Sequence, residues 1–318
     1  MDSFVQNIAT AFGIKIKSAS RQRFGHLCTT AGKPKLILIQ KAQNAPQDVQ
    51  IESVLFQHEV KEHLFNAGFE TCDRFFTSKQ TGLPFHKIGE DIFTVTQAYN
   101  APHANFSDKS SFLMIAKELA HMHKHLTGAA FVHKPLNRSS LASGSKELAA
   151  LEGHRKKIVK SGKYSDFDML FLSAFEKFAP FIVISDAAFG HNKHVCHNLL
   201  KEENIFMCEK PIFTNFSMAG YNHSASDLIY LLKRYLKAGT KGDLTLSDIL
   251  DVYSQSNPKE QFDSKHFIKL LQYPDKFVKI SKEYYSKKRS FAPKAYITRM
   301  EECIVRGEAL AGWLGADA

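Results

Sequence analysis

The middle of the chain holds the stretch that decides the fold: Val195–Ile205 reads VCHNLLKEENI, and Phe213–Ser217 further on reads FTNFS. Two short, mostly apolar segments link the end of the first stretch to the start of the second. Asn204–Met207 and Pro211–Thr214 flank a polar turn at Cys208–Lys210. Apolar runs separated by a short polar turn predict a β-hairpin. Histidine and asparagine side chains therefore stand next to a predicted hairpin, where chemistry could be organised.

Around this stretch the predicted secondary structure changes from strands to helices. Lys35–Gln40 and Asp91–Thr96 are apolar, β-branched runs that predict strands, and Glu52–Ala67 has apolar residues at helical spacing. Beyond Ser107, where the hydroxyl can cap a helix, a repeat of three and four residues predicts mostly helices. The sequence therefore predicts an α+β fold, with a small strand-rich lobe over residues 1–98 and a large helical lobe over residues 99–318.

Composition excludes several classes of protein. The 318 residues are 44% hydrophobic and 23% charged, as in ordinary globular proteins. No apolar run reaches the ~18 residues that cross a bilayer, and the N-terminus lacks the pattern of a secretory signal. The five cysteines form no CxxC pair. We therefore expect neither a membrane partner nor a bound metal.

Net charge is the skewed quantity: 42 basic residues against 32 acidic residues give +10. Such a charge suits nucleic acid, an acidic surface or an anionic ligand. The aromatic residues include 26 phenylalanines and one tryptophan, which favours core packing over platforms for base stacking. We interpret the basic runs near His154–Lys163 and Lys279–Arg289 as solvated helix faces, and we do not expect nucleic acid as the partner.

The two central stretches resemble motifs of kinase-like phosphotransferases. Aminoglycoside- and choline-kinase-like enzymes carry H-G-D-x-x-x-x-N and then I-D-F or I-D-W. The first Asp accepts the proton of the substrate, and the Asn and the second Asp hold Mg²⁺. His197 and Asn204 match this pattern, but the glycine is Asn198, the base position is Leu199 and the second Asp is Asn215. Every position expected to carry a catalytic carboxylate is therefore degenerate.

These substitutions remove what the chemistry needs. Leu199 has no lone pair, so it cannot deprotonate a hydroxyl, a role typically worth ~10²–10⁴ in rate. Asn215 offers a neutral oxygen without the charge that holds a well-hydrated Mg²⁺. We therefore expect no intact catalytic residue and no cofactor, while the surviving amides leave binding of ATP and Mg²⁺ open. A rearranged working site is one alternative, and an unrelated fold in which Leu199 and Asn215 are core and turn residues is another.

Two further positions are expected by the same resemblance. A kinase-like site grips phosphates with a strand lysine that a helix glutamate holds. Either Gln40 or Lys41 could occupy the lysine position, and strand alternation places the two on opposite faces. Spacing favours Gln40. Glu59 is the expected helix partner, with a solvated surface glutamate as the alternative, and Asp227 looks like the structural Asp that opens the following helix.

Further stretches extend the resemblance along nearly the whole chain. They are His58–Leu64 (HEVKEHL), Leu119–His125 (LAHMHKH), Ser165–Leu172 (SDFDMLFL), Asp227–Tyr235 (DLIYLLKRY), Tyr273–Phe277 (YPDKF) and Tyr284–Tyr285. In this combination the sequence resembles the CotS-type spore-coat family, a kinase-like family of endospore-forming bacteria. The resemblance implies a bilobal protein-kinase-like fold. It also implies a place in the spore coat, assembled from the mother-cell cytoplasm, with other coat proteins as partners.

Taken with the lost carboxylates, these observations predict a pseudokinase, a kinase-like fold retained as a structural or interaction module of the spore coat without phosphotransferase activity. An active phosphotransferase that uses Asn204 and Asn215 in a rearranged site is the alternative. A basic nucleic-acid-binding protein is a third hypothesis, which would show duplex affinity that falls steeply with salt.

Overall fold

A computed structural model describes residues 3–23, 25–42, 45–136, 144–182, 194–237, 244–260, 262–286 and 293–316. The chain divides into two compact units. The first comprises Met1–Ser139, Lys193–Leu231 and Val252–Glu260, and the second comprises Ser140–Asn192, Leu232–Asp251 and Gln261–Ala318. The lobe boundary expected between residues 98 and 99 stays a prediction. Among the described helices, none has the length and apolar character that crossing a membrane requires.

The first unit contains a five-stranded antiparallel sheet. Its strands are β1 (Ile16–Gln22), β2 (Gly25–Thr30), β3 (Leu36–Lys41), β4 (His86–Ile88) and β5 (Asp91–Gln97). They lie in the order β1-β2-β3-β5-β4. Strands β3 and β5 lie where the apolar runs Lys35–Gln40 and Asp91–Thr96 predicted them. The strand-rich start of the chain is therefore confirmed.

Helices cover both faces of this sheet. Helix α1 (Ser3–Ala11) packs Val5 and Ile8 against Ile37 and Ile39 of β3. Helix α2 (Gln47–Asn66) packs Val54 against Ile92 of β5. Because strand side chains alternate, residues of odd and even number along β3 face different helices. The same alternation places Gln40 and Lys41 of β3 on opposite faces of the sheet.

The next helix, α3 (Lys109–Leu126), carries the buried stripe that the sequence predicted. Its N-cap is Asp108 rather than Ser107: the Asp108 side chain accepts a hydrogen bond from the N–H of Ser111. Aspartate and serine cap about equally well, so the composition of this turn did not distinguish them. The cap is shifted by one residue, and the helix is otherwise as predicted.

Two small antiparallel pairs follow in the first unit, β6 (His194–Cys196) with β9 (Gly220–Asn222) and β7 (Ile205–Met207) with β8 (Pro211–Phe213). The second pair is the predicted hairpin. One-turn 3-10 helices at Glu202–Asn204 and Phe216–Met218 connect these strands. The hairpin and its flanking turns form the frame of the candidate site.

The remaining secondary-structure elements of the described chain are helices, as the sequence predicted. The helices are α4 (Gly144–Ser161), α5 (Asp166–Ile182), α6 (Ser224–Lys237), α7 (Leu246–Ser256), α8 (Ser264–Gln272), α9 (Asp275–Ser286) and α10 (Pro293–Ala316). The core of the second unit is aromatic. The ring centroids of Phe167 and Tyr284 lie 3.8 Å apart, and those of Phe171 and Phe277 lie 5.7 Å apart, both pairs stacked. These phenylalanines therefore serve core packing, as the composition favoured.

Candidate functional site

Asp227, in the first turn of α6, holds the loop that follows β6. Its carboxylate accepts hydrogen bonds from the backbone N–H groups of His197 and Asn198, both at 2.7 Å, and from Nε2 of His123 at 3.1 Å. Burial alone would raise the pKa of Asp227, but His123 and the N–H of His197 outweigh it and hold the pKa below its usual value. The buried carboxylate is therefore ionised and fixes the backbone of the loop.

A buried histidine supports this aspartate from the other side. The Nε2–H of His123 donates to Asp227, and the hydroxyl of Tyr253 donates to Nδ1 of His123 at 2.6 Å. Ligand atoms of His123, Asp227 and Cys196 lie within 4.8 Å of one another. However, the Cys196 thiol donates to the carbonyl of His223, and burial raises its pKa well above the usual value. The three groups are satisfied by protein partners, so the cluster has the chemistry of a structural network.

His197 is fully buried at the centre of the site. Its Nε2–H donates to the carbonyl of Thr214 at 2.9 Å, and its Nδ1 accepts from the N–H of Leu199 at 3.2 Å. Burial lowers the pKa of His197, although the charge of Asp227 opposes this shift. Because one ring nitrogen donates and the other accepts, His197 is neutral and ties its own loop to the end of β8.

Asn198 stands at the position of the motif glycine and has a left-handed backbone, with φ +58°. Asparagine is one of the few residues other than glycine that adopt this conformation readily. Its Nδ2 group lies 3.2 Å from the carbonyls of Met218 and Gly220, and its Oδ1 accepts from Nδ2 of Asn222 at 2.9 Å. The substitution keeps the turn that a glycine would make and adds side-chain hydrogen bonds to it.

Asn204 and Asn215 lie side by side and bind each other. Nδ2 of Asn204 donates to the carbonyl of Leu199 at 2.9 Å, so its Oδ1 faces Asn215, whose Nδ2 donates to it at 3.2 Å. Asn215 is also left-handed, with φ +60°. The site thus holds two neutral amides where a kinase-like site holds an amide and a carboxylate. This donor set does not fit Mg²⁺, which needs carboxylate charge to replace its tightly held water.

Leu199 lies in the same loop, on the residue that the motif assigns to the base. Its side chain is half-buried, and its carbonyl accepts from Asn204 Nδ2 and from the N–H of Lys201. The backbone of Leu199 is therefore part of the loop network. Its side chain offers a reacting hydroxyl neither a proton acceptor nor a hydrogen bond.

The two candidates for the phosphate-gripping position lie on opposite faces of β3. Gln40 pairs with Thr94 across the sheet, and Thr94 alternates with Ile92, which packs against Val54 of α2. Gln40 is therefore on the face that α2 covers, and it is neutral. A glutamine there cannot supply the charge that a lysine brings to phosphates.

Lys41 is on the opposite face, which it shares with Ile39 and the α1 side of the sheet. Its ammonium pairs with the carboxylate of Asp91 at 2.7 Å, with both side chains nearly half exposed. An exposed ion pair of this kind is weak and easily solvated. In the structure Lys41 thus serves a surface pair with the start of β5.

Glu59 does not have the partner that the sequence suggested. Its carboxylate accepts hydrogen bonds from the N–H groups of Val132 and His133 at 3.0 and 3.2 Å and lies 3.6 Å from the ring of His133. The expectation that Glu59 faces the strand carrying Gln40 and Lys41 is wrong, because this face of α2 holds the chain segment that follows α3.

A buried ion pair that the sequence did not predict begins two residues further along α2, at Lys61. Lys61 Nζ is 2.9 Å from the carboxylate of Asp73, and these side chains are 1% and 4% exposed. The ammonium also lies 4.0 Å from the ring centroid of Phe75 and 5.3 Å from that of Phe216, which in turn contacts the ring of His197 at 4.6 Å. A continuous column of contacts therefore runs from the buried His197 through Phe216 and Lys61 to the partly buried Phe75.

The sequence did contain a signal for this pair. Lys61 is seven residues after Val54 and three before Leu64, a spacing that puts it on the apolar stripe of α2. A lysine on a buried stripe requires an anionic partner. Which acid supplies it depends on how the segment after α2 folds back, and spacing alone does not show that.

Comparison with known proteins bears directly on this geometry. Residues 5–315 match the family described as "Spore coat putative kinase YutH". The chain belongs to this family. The resemblance to CotS-type spore-coat proteins is therefore confirmed, and the YutH match covers both compact units. A search of curated proteins gives no match.

Solved structures show the fold of this YutH-family chain. An aminoglycoside phosphotransferase from Alicyclobacillus acidocaldarius aligns with a TM-score of 0.75 at 16% identity, over 98% of this chain and 94% of that chain. A spectinomycin phosphotransferase bound to AMP aligns with a TM-score of 0.61 at 11% identity, over 97% of each chain. Choline kinase LicA from Streptococcus pneumoniae aligns with a TM-score of 0.52 at 13% identity, over 98% and 99%. The α+β kinase-like fold is thereby confirmed.

Proposed function

We propose that this chain is a pseudokinase of the spore coat, a kinase-like fold that serves as a structural or interaction module and carries out no phosphoryl transfer. Membership of a spore-coat family supports the location. In this proposal the protein is assembled into the coat from the mother-cell cytoplasm and binds other coat proteins.

One observation carries the proposal: the three positions that would perform chemistry are Leu199, Asn204 and Asn215, and the two amides are hydrogen-bonded to each other at 3.2 Å. No group among them can take a proton from a hydroxyl at neutral pH. The pair also lacks a formal negative charge to hold a dication. On β3, Gln40 is a neutral group at the place of a lysine. The general base, the metal ligands and the phosphate-binding cation of a kinase-like site are therefore all missing or weakened in this chain.

The frame around these positions is fully built, which supports a retained structural role. Asp227 fixes the loop through two backbone N–H groups, and Asn198 keeps the turn in its left-handed form. The column from His197 to Phe75 includes a buried charge pair that must be matched to persist. The buried charged groups that hold the fold are present, whereas the catalytic carboxylates are absent. In this proposal the protein therefore acts by binding partners through its surface.

A thermal-shift titration with ATP, with and without Mg²⁺, tests the proposal. A ligand at about 100 times its Kd would add ~2.7 kcal/mol to the free energy of unfolding. We expect no Mg²⁺-dependent stabilisation of the wild type by millimolar ATP. A clear shift that needs Mg²⁺ would contradict the proposal, because it would show a metal anchor that Asn204 and Asn215 are not expected to supply.

An active phosphotransferase is the second candidate. The observation in its favour is that Asn204 and Asn215 remain adjacent, so a rotation of the Asn215 amide would turn two carbonyl oxygens towards one point. Such a site would need a proton acceptor other than Leu199. Turnover of ATP that depends on Asn204 would distinguish this candidate from the first.

A further inference from the structure

A cavity of about 100 Å³ opens within the second unit, among helices α5, α6, α8, α9 and α10. All its lining residues belong to that unit. Its floor is apolar and consists of Phe178, Leu236, Leu271, Cys303 and Leu310. None of these residues belongs to the candidate site in the first unit. The cavity is therefore a separate feature with its own chemistry.

The rim of this cavity is cationic. Lys237, Lys276 and Arg306 line it; Arg306 pairs with Glu302, whereas Lys237 and Lys276 form no ion pair with any residue the structure describes. Burial lowers the pKa of Lys276, and Arg306 lowers it further, against the opposing charge of Asp275. The mouth of the apolar cavity therefore carries more positive than negative charge among the residues that the structure describes.

The remaining lysine at the cavity does not add to this excess. Lys233 donates to the carbonyl of Tyr273 and to the carboxylate of Asp275, both at 2.8 Å. The Asp275 carboxylate is therefore already engaged, and the Lys233 charge balances it. An anion that arrives at the rim would meet Lys237 and Lys276 first.

We propose that this cavity binds an acidic peptide segment of a partner protein, which inserts one apolar side chain and places its carboxylates against Lys237, Lys276 and Arg306. The size of the cavity supports a single side chain. An engineered cavity of about 150 Å³ lined by apolar residues accepts one benzene molecule, so this smaller cavity, which is open at its mouth, takes the tip of one apolar side chain, such as the outer part of a phenylalanine ring. Lys237 and Lys276, which form no ion pair with a described residue, and the guanidinium of Arg306, which also pairs with Glu302, can contact more than one carboxylate.

This proposal rests on the second unit alone. It holds whether or not the first unit binds ATP, so a failed nucleotide experiment leaves it untouched, and a failed peptide experiment leaves the pseudokinase proposal untouched. It gives the interaction module a defined contact point and a defined partner chemistry. Apolar insertion with a complementary charged rim is a common way in which a small hot spot supplies affinity.

Fluorescence anisotropy with labelled pentapeptides tests the proposal on the full-length chain. The probe has a central phenylalanine flanked by two acidic residues on each side, and the comparison peptide has serine at the centre. We expect saturable binding of the phenylalanine peptide and at least tenfold weaker binding of the serine peptide. Binding of 4-phenylbutyrate, the matching small carboxylate, should be weaker still, because it offers the rim one charge.

Charge-reversed variants localise the binding. Lys276→Glu should weaken binding of the phenylalanine peptide at least tenfold, whereas Lys279→Glu, an exposed position on the same helix that does not line the cavity, should change it less than twofold. Equal affinity for the serine peptide would overturn the proposal, since general charge attraction would explain it. Equal loss in both variants, or tighter binding of 4-phenylbutyrate than of the peptide, would overturn it as well.

Discussion

Asn215 donates a hydrogen bond from its Nδ2 to Oδ1 of Asn204 over 3.2 Å. The direction of this bond is fixed, because Nδ2 of Asn204 is already used by the carbonyl of Leu199. The oxygen of Asn204 that could contact a metal is therefore held by a neighbouring amide. Two residues that would cooperate on a dication in an active relative instead satisfy each other.

Restoring the carboxylates should restore metal dependence. In the double variant Leu199→Asp with Asn215→Asp, the carboxylate at 215 no longer donates to Asn204, so two oxygens face each other and favour a cation between them. We expect Mg²⁺ to raise the melting temperature of this variant in the presence of ATP, while the wild type shows no such change. Differential scanning fluorimetry measures both.

Asn204 provides the control for that experiment. Adding Asn204→Ala to the double variant should remove the Mg²⁺-dependent shift, since the second oxygen is lost. If the triple variant still responds to Mg²⁺ as strongly as the double variant, the metal binds elsewhere and the assignment of Asn204 and Asn215 to a former metal site is wrong.

Removing one partner of the buried Lys61–Asp73 pair should cost far more stability than removing one partner of an exposed pair. Lys61→Met leaves the Asp73 charge buried and unmatched, which costs about 3–5 kcal/mol. Adding Asp73→Leu should recover most of that loss, because an apolar pair of similar volume needs no charge partner. Urea denaturation gives the free energies of unfolding.

Lys41→Met is the matched control for the buried lysine. Lys41 pairs with Asp91 at a similar distance, but both side chains are nearly half exposed, and such pairs contribute at most about 1 kcal/mol. A loss in Lys61→Met no larger than that in Lys41→Met would show that the column from His197 to Phe75 does not depend on its charge pair.

The left-handed turn at Asn198 should reverse the usual ranking of alanine and glycine. Both Asn198→Gly and Asn198→Ala lose the side-chain hydrogen bonds, but alanine also has to adopt φ +58°. We expect the alanine variant to be less stable by about 1 kcal/mol.

At exposed Lys117, inside α3, the order should be the opposite, with alanine more stable than glycine by about 1 kcal/mol. Thermal unfolding of the four variants tests the comparison. Alanine more stable than glycine at both positions would contradict the left-handed turn.

Stability should fall on moderate acidification. Burial lowers the native-state pKa of His197 and of His58 below the ordinary value of 6.5. Below pH 6.5 the unfolded chain therefore takes up protons that the folded chain does not, and the free energy of unfolding decreases as the pH falls towards the native pKa values. Urea denaturation between pH 5.5 and 7.5 measures the slope.

His197→Gln should show a shallower pH slope than the wild type, whatever its absolute stability, because one of the titrating groups is gone. Below pH 3.8 the lowered pKa of Asp227 adds a loss in the same direction. A wild-type protein that is as stable at pH 5.5 as at pH 7.5 would contradict the neutral, buried state of His197.

Periodicity and turn chemistry predicted much of the fold. Strand β3, helix α2 and the β7–β8 hairpin could be located because their apolar spacing and flanking turns are local properties of the sequence. The one-residue choice between Gln40 and Lys41 could not be made that way. The face on which each residue lies depends on α1, which packs on Ile37 and Ile39 and so fixes which face of β3 meets which helix.

Tertiary contacts between side chains were harder to predict than the locations of helices, strands and motif residues in the sequence. Glu59 was expected at β3, but it binds the backbone at Val132 and His133, more than seventy residues away along the chain. Asp73 reaches Lys61 because the segment after α2 turns back along the helix. Contacts of this kind depend on tertiary packing, whereas Leu199 and Asn215 could be found by counting residues within two short motifs.

Wild-type turnover tests the central claim most directly. Purified protein is incubated with Mg²⁺ and radiolabelled ATP, and release or transfer of the γ-phosphate is followed beside the Asn204→Ala variant. A pseudokinase predicts the same background rate for both proteins, because Leu199 cannot accept a proton and the two amides do not hold Mg²⁺. Robust turnover by the wild type that Asn204→Ala abolishes would show a working, rearranged site and would contradict the account.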